Sequence, residues 1–389
     1  MNFLEEIKGS FSNVKRRFQE NSFDNILWIV NVIPKLAGFS LNKDTVSAWF
    51  WVIFFFLLIY TYVAGSILYQ INYAKEAVDF FKSYVNVSLF ALIATNNYWW
   101  IRYRKLLRTV LKKMKDSDRQ ATICPSLKVK HANMLSTVKK IALLFYVCNV
   151  TNGFVVYIPD RMNSSPDAMS MVACPGLESL TQSPHKYICN IAVTILETCV
   201  MISNLNYQVL TMVLISHTAI MYRLLSKEIM MFNVNHEEID INALVKEKLP
   251  TIIRRHNLIL LTVDDLKSLY SVSIGVNFGS NAVCMCFYFF FELETAIRFI
   301  PVLVYCFLVF FFNCLLCQQL TNASEEFERS VYSCGWENFK CEDQKTIYVM
   351  LLQSQKKIEV LAADIIPVNI YTFATTIQGI YKFITVVKF

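Results

Sequence analysis

From Trp49 to Ile59 the chain runs Trp-Phe-Trp-Val-Ile-Phe-Phe-Phe-Leu-Leu-Ile, without one polar side chain. The apolar stretch around it, Ala48 to Tyr69, is long enough to cross a hydrocarbon core, which needs roughly 20 residues of helix. Further stretches of this kind run from about Val78 to Tyr98, Ile141 to Ile158, Tyr187 to Ile220, Val272 to Phe291, Ile297 to Cys317 and Ile365 to Val387. Lys82 and Lys382 interrupt the second and the seventh. Composition agrees. Hydrophobic residues make up 55% of the 389 and charged residues 17%, where a soluble domain carries about a quarter charged. Thirty Phe, nineteen Tyr and six Trp are more apolar surface than one water-soluble core hides. The excess faces lipid. The expected fold is all-α: a polytopic membrane protein of seven transmembrane helices. A disordered chain, a small disulfide scaffold and an ordinary cytosolic enzyme are excluded.

Basic residues then test orientation, because Lys and Arg accumulate in cytoplasmic loops. The N-terminal arm and every second loop (99–140, 221–268 and 321–365) hold 30 of the 37. The opposite loops hold Lys75, Arg161, Lys186 and Arg298. The N-terminus is expected inside, and seven spans put the C-terminus outside. No signal peptide is expected before the first span, since the arm opens Met1-Asn2-Phe3-Leu4-Glu5-Glu6 and stays charged. A G-protein-coupled receptor has the opposite sidedness. Its acidic-Arg-Tyr triplet and Asn-Pro-x-x-Tyr motif are missing as well. A small-solute transporter should show an internal repeat or helices broken at the midplane. Neither is visible here, and Pro34, Pro250 and Pro367 sit near span ends or in cytoplasmic segments.

Enzyme signatures are absent from the sequence: no Gly-x-Gly-x-x-Gly, Walker loop, His-Glu-x-x-His or nucleophile elbow occurs. No catalytic residue, cofactor or metal is expected. The five histidines are scattered, and Cys314-x-x-Cys317 lies in an apolar helix where packing outweighs ligation. Cys174 and Cys189 fall in or beside the second external loop, where free thiols or a disulfide both fit. The basic and aromatic run from Arg102 to Arg108 directly follows a span. It reads as a headgroup-facing segment, not a nucleic-acid patch. Apolar residues at helical spacing fill 105–115, 242–269 and 325–361, as in Leu249, Ile252, Ile253, Leu260, Val263 and Leu266. The spans therefore continue into the cytoplasm as helices. Such amphipathic segments bury against their own bundle or against another subunit, and assembly is the favoured reading.

The C-terminal third carries Ser324, Val331-Tyr332, Trp336, Lys345, Met350, Gln353-Ser354-Gln355-Lys356, Phe373 and Tyr381, with Arg255-His256-Asn257 upstream. This pattern resembles the insect odorant receptor family, while the first two-thirds match it in span pattern and polarity. The Tyr332/Trp336 element favours an odorant over a gustatory receptor, the nearest alternative. The resemblance implies a ligand-gated, nonselective cation channel of four subunits in the plasma membrane of sensory-neuron dendrites. Its partners would be olfactory co-receptor subunits, a small volatile odorant, the lipid bilayer and permeant cations. The family's co-receptor has a large insertion in the second intracellular loop, and Ile220 to Val272 leaves no room for it. A tuning subunit is implied. The corresponding division is a cytoplasmic arm (1–46), six transmembrane helices with the odorant pocket (47–320), cytoplasmic anchor helices (321–364) and a pore-lining seventh helix (365–389). Tyr332 and Trp336 would belong to the subunit anchor.

In the seventh helix Thr375, Gln378, Gly379, Lys382, Val386 and Phe389 recur at three- and four-residue spacing and share one face. By resemblance Val386 stands at the gate, and Lys382 replaces the small hydroxyl residue usual there. Two positions are open to Lys382: facing the pore, or snorkelling to the interface. An odorant site should be an apolar, aromatic cavity with few polar handles. The family places it among the outer halves of the second, third, fourth and sixth helices. Candidates are Phe80, Phe81, Tyr84, Tyr146, Asn149, Val150, Phe154, Ile191, Ile195, Phe299 and Tyr305, with Tyr84 and Asn149 able to hydrogen-bond an ester or carbonyl oxygen. Asn163-Ser164-Ser165 is a glycosylation sequon in the second external loop.

Overall fold

The computed structural model describes residues 14–36, 47–72, 77–121, 125–152, 185–233, 241–291 and 293–388; within these, a few side chains, those of 77–86 among them, lie outside the description. After a short helical stretch over 14–19 come α1 (Phe23–Leu36), α2 (Ala48–Leu58), α3 (Gly65–Asn72), α4 (Ala77–Ala121), α5 (Pro125–Asn152), α6 (His185–Ile229), α7 (Ile241–Tyr288), α8 (Leu293–Tyr332), α9 (Cys341–Ser354) and α10 (Ile370–Lys388). A π-helical turn, Ile59–Ala64, joins α2 to α3, so the first span is one helix with a local bulge. Ser47 starts it: its hydroxyl accepts the Phe50 N–H at 3.4 Å, which satisfies one of the free donors of the first turn.

Four of these helices outrun any membrane. α4, α6, α7 and α8 have 45, 45, 48 and 40 residues, about 60–70 Å at 1.5 Å per residue. A hydrocarbon core is only about 30 Å thick. The spans thus run on without a break into the segments beyond them, as the helical spacing over 105–115 and 242–269 implied, whereas over 325–361 the helix stops at Tyr332 and restarts at Cys341. Among the described residues, Ala48–Leu68, Lys128–Asn152, Tyr187–Asn233 and Phe299–Asn338 are long and apolar enough to cross by themselves. α4, α7 and α10 are more polar. Lipid offers polar groups no partners, and α4 and α7 turn Asn96, Asn97, Asn277 and Asn281 into the buried interior.

The core centres on α6. Every residue from Leu205 to Tyr222 is buried, because α1, α4, α5, α7 and α8 all pack on it. The arm expected at 1–46 contains one of those helices. Phe23, Ile26 and Val30 of α1 are fully buried, the Tyr146 hydroxyl donates to the Val30 carbonyl at 3.1 Å, and Lys115 pairs with Asp24 at 2.7 Å. The apolar run Ile26-Leu27-Trp28-Ile29-Val30 is too short to span and finds its cover in the bundle instead.

The seventh span departs from its expected start. Helix α10 begins at Ile370, not Ile365, and Leu361–Ala362 pairs antiparallel with Ile366–Pro367 as β1 and β2. Pro367 disfavours helical backbone in the residue before it. Ala363 and Asp364 take φ of 52° and 58°, the double left-handed conformation of a tight turn that the Ile365 N–H closes by donating to the Ala362 carbonyl at 3.1 Å. The hairpin is fastened to α7. Ala363 N–H donates to the Ser271 carbonyl at 2.8 Å, and the Ser271 hydroxyl to Asp364 Oδ1 at 2.6 Å. Gly275 permits this approach: a Cβ there would meet Ala363 Cβ at 2.9 Å and its backbone nitrogen at 3.0 Å. Gly275→Val is expected to cost about 1–3 kcal/mol through overpacking. Chemical unfolding in detergent should show it, and an unchanged midpoint would mean that the hairpin yields freely.

Candidate functional site

Helix α10 presents two unlike faces. Asn369 starts it, its side-chain oxygen accepting the Thr372 N–H at 2.8 Å. One face packs. Phe373 meets Phe307, Phe310 and Phe311 of α8 at ring distances of 5.4, 5.3 and 5.4 Å, Ile380 is buried, and Phe383 reaches Phe290. The other is uncovered: Thr375, Gln378, Gly379 and Lys382 are exposed, and Val386 keeps 82% of its surface free. Phe389 lies outside the described residues. Thr375 donates its hydroxyl to the Tyr371 carbonyl at 3.0 Å, and Thr385 to Tyr381 at 2.6 Å. With their protons so directed, these hydroxyl oxygens leave lone pairs available along the open face. The stripe is wettable, carries one cation and ends on an aliphatic side chain. In the bland alternative it simply faces lipid, but a Thr, Gln, Gly and Lys stripe is poorly suited to hydrocarbon.

A second uncovered face lies at the other end of the bundle. After Tyr332 the chain turns through Gly335, at φ 78°, and Trp336–Asn338 into α9. Tyr332 is exposed; Trp336 is half-buried and its indole N–H donates to the Tyr332 carbonyl at 3.1 Å. On α9 Tyr348, Val349 and Leu352 are exposed. A cleft of 560 Å³ between α7 and α9 is lined by Ile253, His256, Asn257, Leu260, Lys345 and Met350 among others. Burial pushes the His256 imidazole down to about 4, and its ring lies 4.6 Å from that of Phe327. It is neutral at physiological pH and acts there as an aromatic wall.

The odorant candidates divide. Tyr146 and Asn149 on α5 are buried, and Phe299 and Tyr305 on α8 are half-buried. Phe145 links the two helices, its ring edge-on to Tyr305 at 6.3 Å and to Phe312 at 5.6 Å. Phe299 packs near Phe291 at 5.8 Å. Val150, Ile191 and Ile195 instead present 42%, 61% and 58% of their surface outward. The structure does not gather them with the others. The side chains of Phe80, Phe81 and Tyr84, and all of Phe154, Asn163 and Cys174, lie outside the described residues. Cys189 is disulfide-bonded, with a partner also outside them.

Sequence reading missed a polar seam through the bundle. Asn96 donates to Asn204 at 2.6 Å, Asn277 donates to Asn96 at 2.9 Å, and Gln208 donates to Asn277. Beside it the Tyr207 hydroxyl donates to Ser273 at 2.6 Å. An adjoining cavity of 10 Å³, lined by Asn96, Asn97, Trp100, Ser203, Asn206 and Tyr207, has room for about one water and none for an odorant. The amides of Asn96, Asn204, Gln208 and Asn277 inside apolar spans were the available signal.

A model of the family described as 7tm Odorant receptor matches residues 76–381. The sequence matches no curated protein. The fold is similar to that of the insect olfactory receptor OR5 from Machilis hrabei, with a TM-score of 0.78 and 15% identity over 92% of this chain and 97% of that one. The same receptor in complex with eugenol gives 0.75, at 15% identity over 92% and 96%. The family match takes in most of the chain and every long helix of the bundle, and this chain belongs to the odorant receptor family.

Proposed function

We propose that the chain is the odorant-tuning subunit of a heteromeric, ligand-gated, nonselective cation channel, completed by olfactory co-receptor subunits. One observation carries the reading: a bundle that is closed around α6 leaves two faces uncovered, the wettable stripe of α10 and the apolar face of α9. Outside lipid, an apolar patch of that kind marks an interface, and a polar stripe within a span marks a path for ions. Four chains around an axis cover both at once. Tyr332 and Trp336 then belong to the anchor, and Thr375, Gln378, Lys382 and Val386 to the pore, with Val386 as the dewetting gate. The odorant occupies the region between α5 and α8 near Tyr146, Asn149, Phe299 and Tyr305. The eugenol-bound relative favours a small aromatic or similarly apolar ligand. The N-terminus is placed in the cytoplasm and the C-terminus outside, on the basic-residue asymmetry, in the dendritic membrane of a sensory neuron. Expressed alone in oocytes, the chain should give no odorant-evoked current; with a co-receptor it should. A robust current from the lone chain would remove the tuning-subunit assignment.

Lys382 gives a sharper test of the pore. Its ammonium lies on the open stripe, so a permeating cation passes one positive charge. Repulsion scales with ion charge, at about 1 kcal/mol for unit charges 4 Å apart even in bulk water. Lys382→Ser is expected to raise relative calcium permeability and single-channel conductance with agonist potency little changed. Reversal potentials in calcium-rich and sodium-rich baths read this directly, and no shift returns Lys382 to the lipid headgroups.

A further inference from the structure

Two histidines and a carboxylate from three helices meet where the last turn of α4 and the first turns of α5 pack against α6. Asp118 stands in the last turn of α4, His131 near the start of α5 and His217 within the buried stretch of α6. Nothing in their sequence spacing announces this. His131 and His217 are 3% and 1% exposed, and the Asp118 side chain is 16% exposed. Nε2 of His131 lies 2.9 Å from Asp118 Oδ1, and Nε2 of His217 lies 3.2 Å from the same oxygen. All three donor atoms fall within 4.8 Å of one another. The Phe23 ring of α1 covers His217 at 3.9 Å between centroids.

A carboxylate that simply accepts two imidazole hydrogen bonds would explain part of this. His217 is placed for such a bond. His131 is not: its Nε2 is fully buried and close to the carboxylate, yet has no hydrogen-bond partner. Its ring nitrogen is near the oxygen without being aligned on it, as ligands on one edge of a coordination polyhedron are. Bonds of about 2.0–2.2 Å to nitrogen and oxygen in a tetrahedral site set neighbouring donors about 3.3 Å apart. The two separations from Asp118, 2.9 and 3.2 Å, are near that value, and the two imidazole donors, within 4.8 Å of each other, close on the ion by side-chain rotation. The donor set selects the ion: two imidazoles and one carboxylate suit zinc, whereas magnesium and calcium prefer oxygen throughout.

We propose that Asp118, His131 and His217 form a zinc(II) site, with three protein ligands and a fourth position open to water. Bound there, the ion fastens the ends of α4 and α5 to the central helix α6, beneath the ring of Phe23. The site is independent of odorant, co-receptor and membrane orientation.

The test uses the full chain purified in detergent, stripped with EDTA and titrated with zinc chloride in a calorimeter. One saturable site per chain is expected, and magnesium or calcium chloride should give none. Asp118→Asn and His131→Gln should each weaken zinc binding on the order of a hundredfold while eluting from a sizing column as the parent does. Zinc-edge X-ray absorption of the loaded wild type should show nitrogen and oxygen neighbours with imidazole outer-shell scattering. Absence of a saturable site, undiminished affinity in both folded variants, or sulfur neighbours would overturn the proposal. The absorption spectrum of the wild type decides it even where neither variant folds.

Discussion

Arg255→Ala is expected to destabilise the protein by about 3–5 kcal/mol, the usual loss when one partner of a buried ion pair is removed. Arg255 is 2% exposed and its Nη1 donates to Glu228, which is 15% exposed. The pair ties α7 to the C-terminal end of α6. Taking away the guanidinium leaves the carboxylate desolvated without a counter-charge, and that is where most of the loss arises. Replacing both partners, as in Arg255→Met with Glu228→Leu, should be far milder, because no charge is then stranded. Chemical unfolding of the purified chain, followed by tryptophan fluorescence, would measure both variants. Equal losses in the single and double variants would show that packing, not charge, is what Arg255 contributes.

A loss of similar size, about 3–5 kcal/mol, is expected for Trp99→Ala. Trp99 is buried, stacked on Tyr270 at 5.2 Å and edge-on to Tyr207 at 5.0 Å. Its indole N–H donates to the Leu269 carbonyl of α7 at 2.6 Å. Truncation opens a cavity at the crossing of α4, α6 and α7 that rigid helices cannot close. Trp99→Phe keeps a ring in place and removes chiefly the hydrogen bond, so its loss should be about 1 kcal/mol. The ordering, alanine well below phenylalanine, is the diagnostic result. If the two substitutions cost the same, the hydrogen bond outweighs the packing and the cavity argument fails.

Much of this architecture was legible before any fold was considered. The run from Trp49 to Ile59 demanded lipid, and helical spacing through Leu249, Ile252, Leu260 and Leu266 carried α7 far beyond one membrane thickness. The three-and-four spacing of Thr375, Gln378, Lys382 and Val386 marked a single face of α10, and those residues are exposed, as are Tyr371, Tyr381 and Val387 on the same helix. Single-residue chemistry was less legible. Ile191 and Ile195 are apolar like their buried neighbours Cys189 and Val193, yet point outward. Ile365 looked like the start of a span and stands exposed at a hairpin.

Sequence alone determined which segments are apolar enough to enter lipid, since the transfer of some twenty side chains is a sum that each residue enters independently. It determined the family as well, through the C-terminal pattern. Only the tertiary structure decided which faces of those helices meet. Lipid tails are as apolar as leucine, so hydrophobicity does not distinguish a core-facing side chain from a lipid-facing one within a span. The choice falls to shape and to polar pairing across helices. It is long-range pairing of that kind that buries α1, joins Asn96 to Asn277, sets the hairpin on Gly275 and brings Asp118, His131 and His217 to one point.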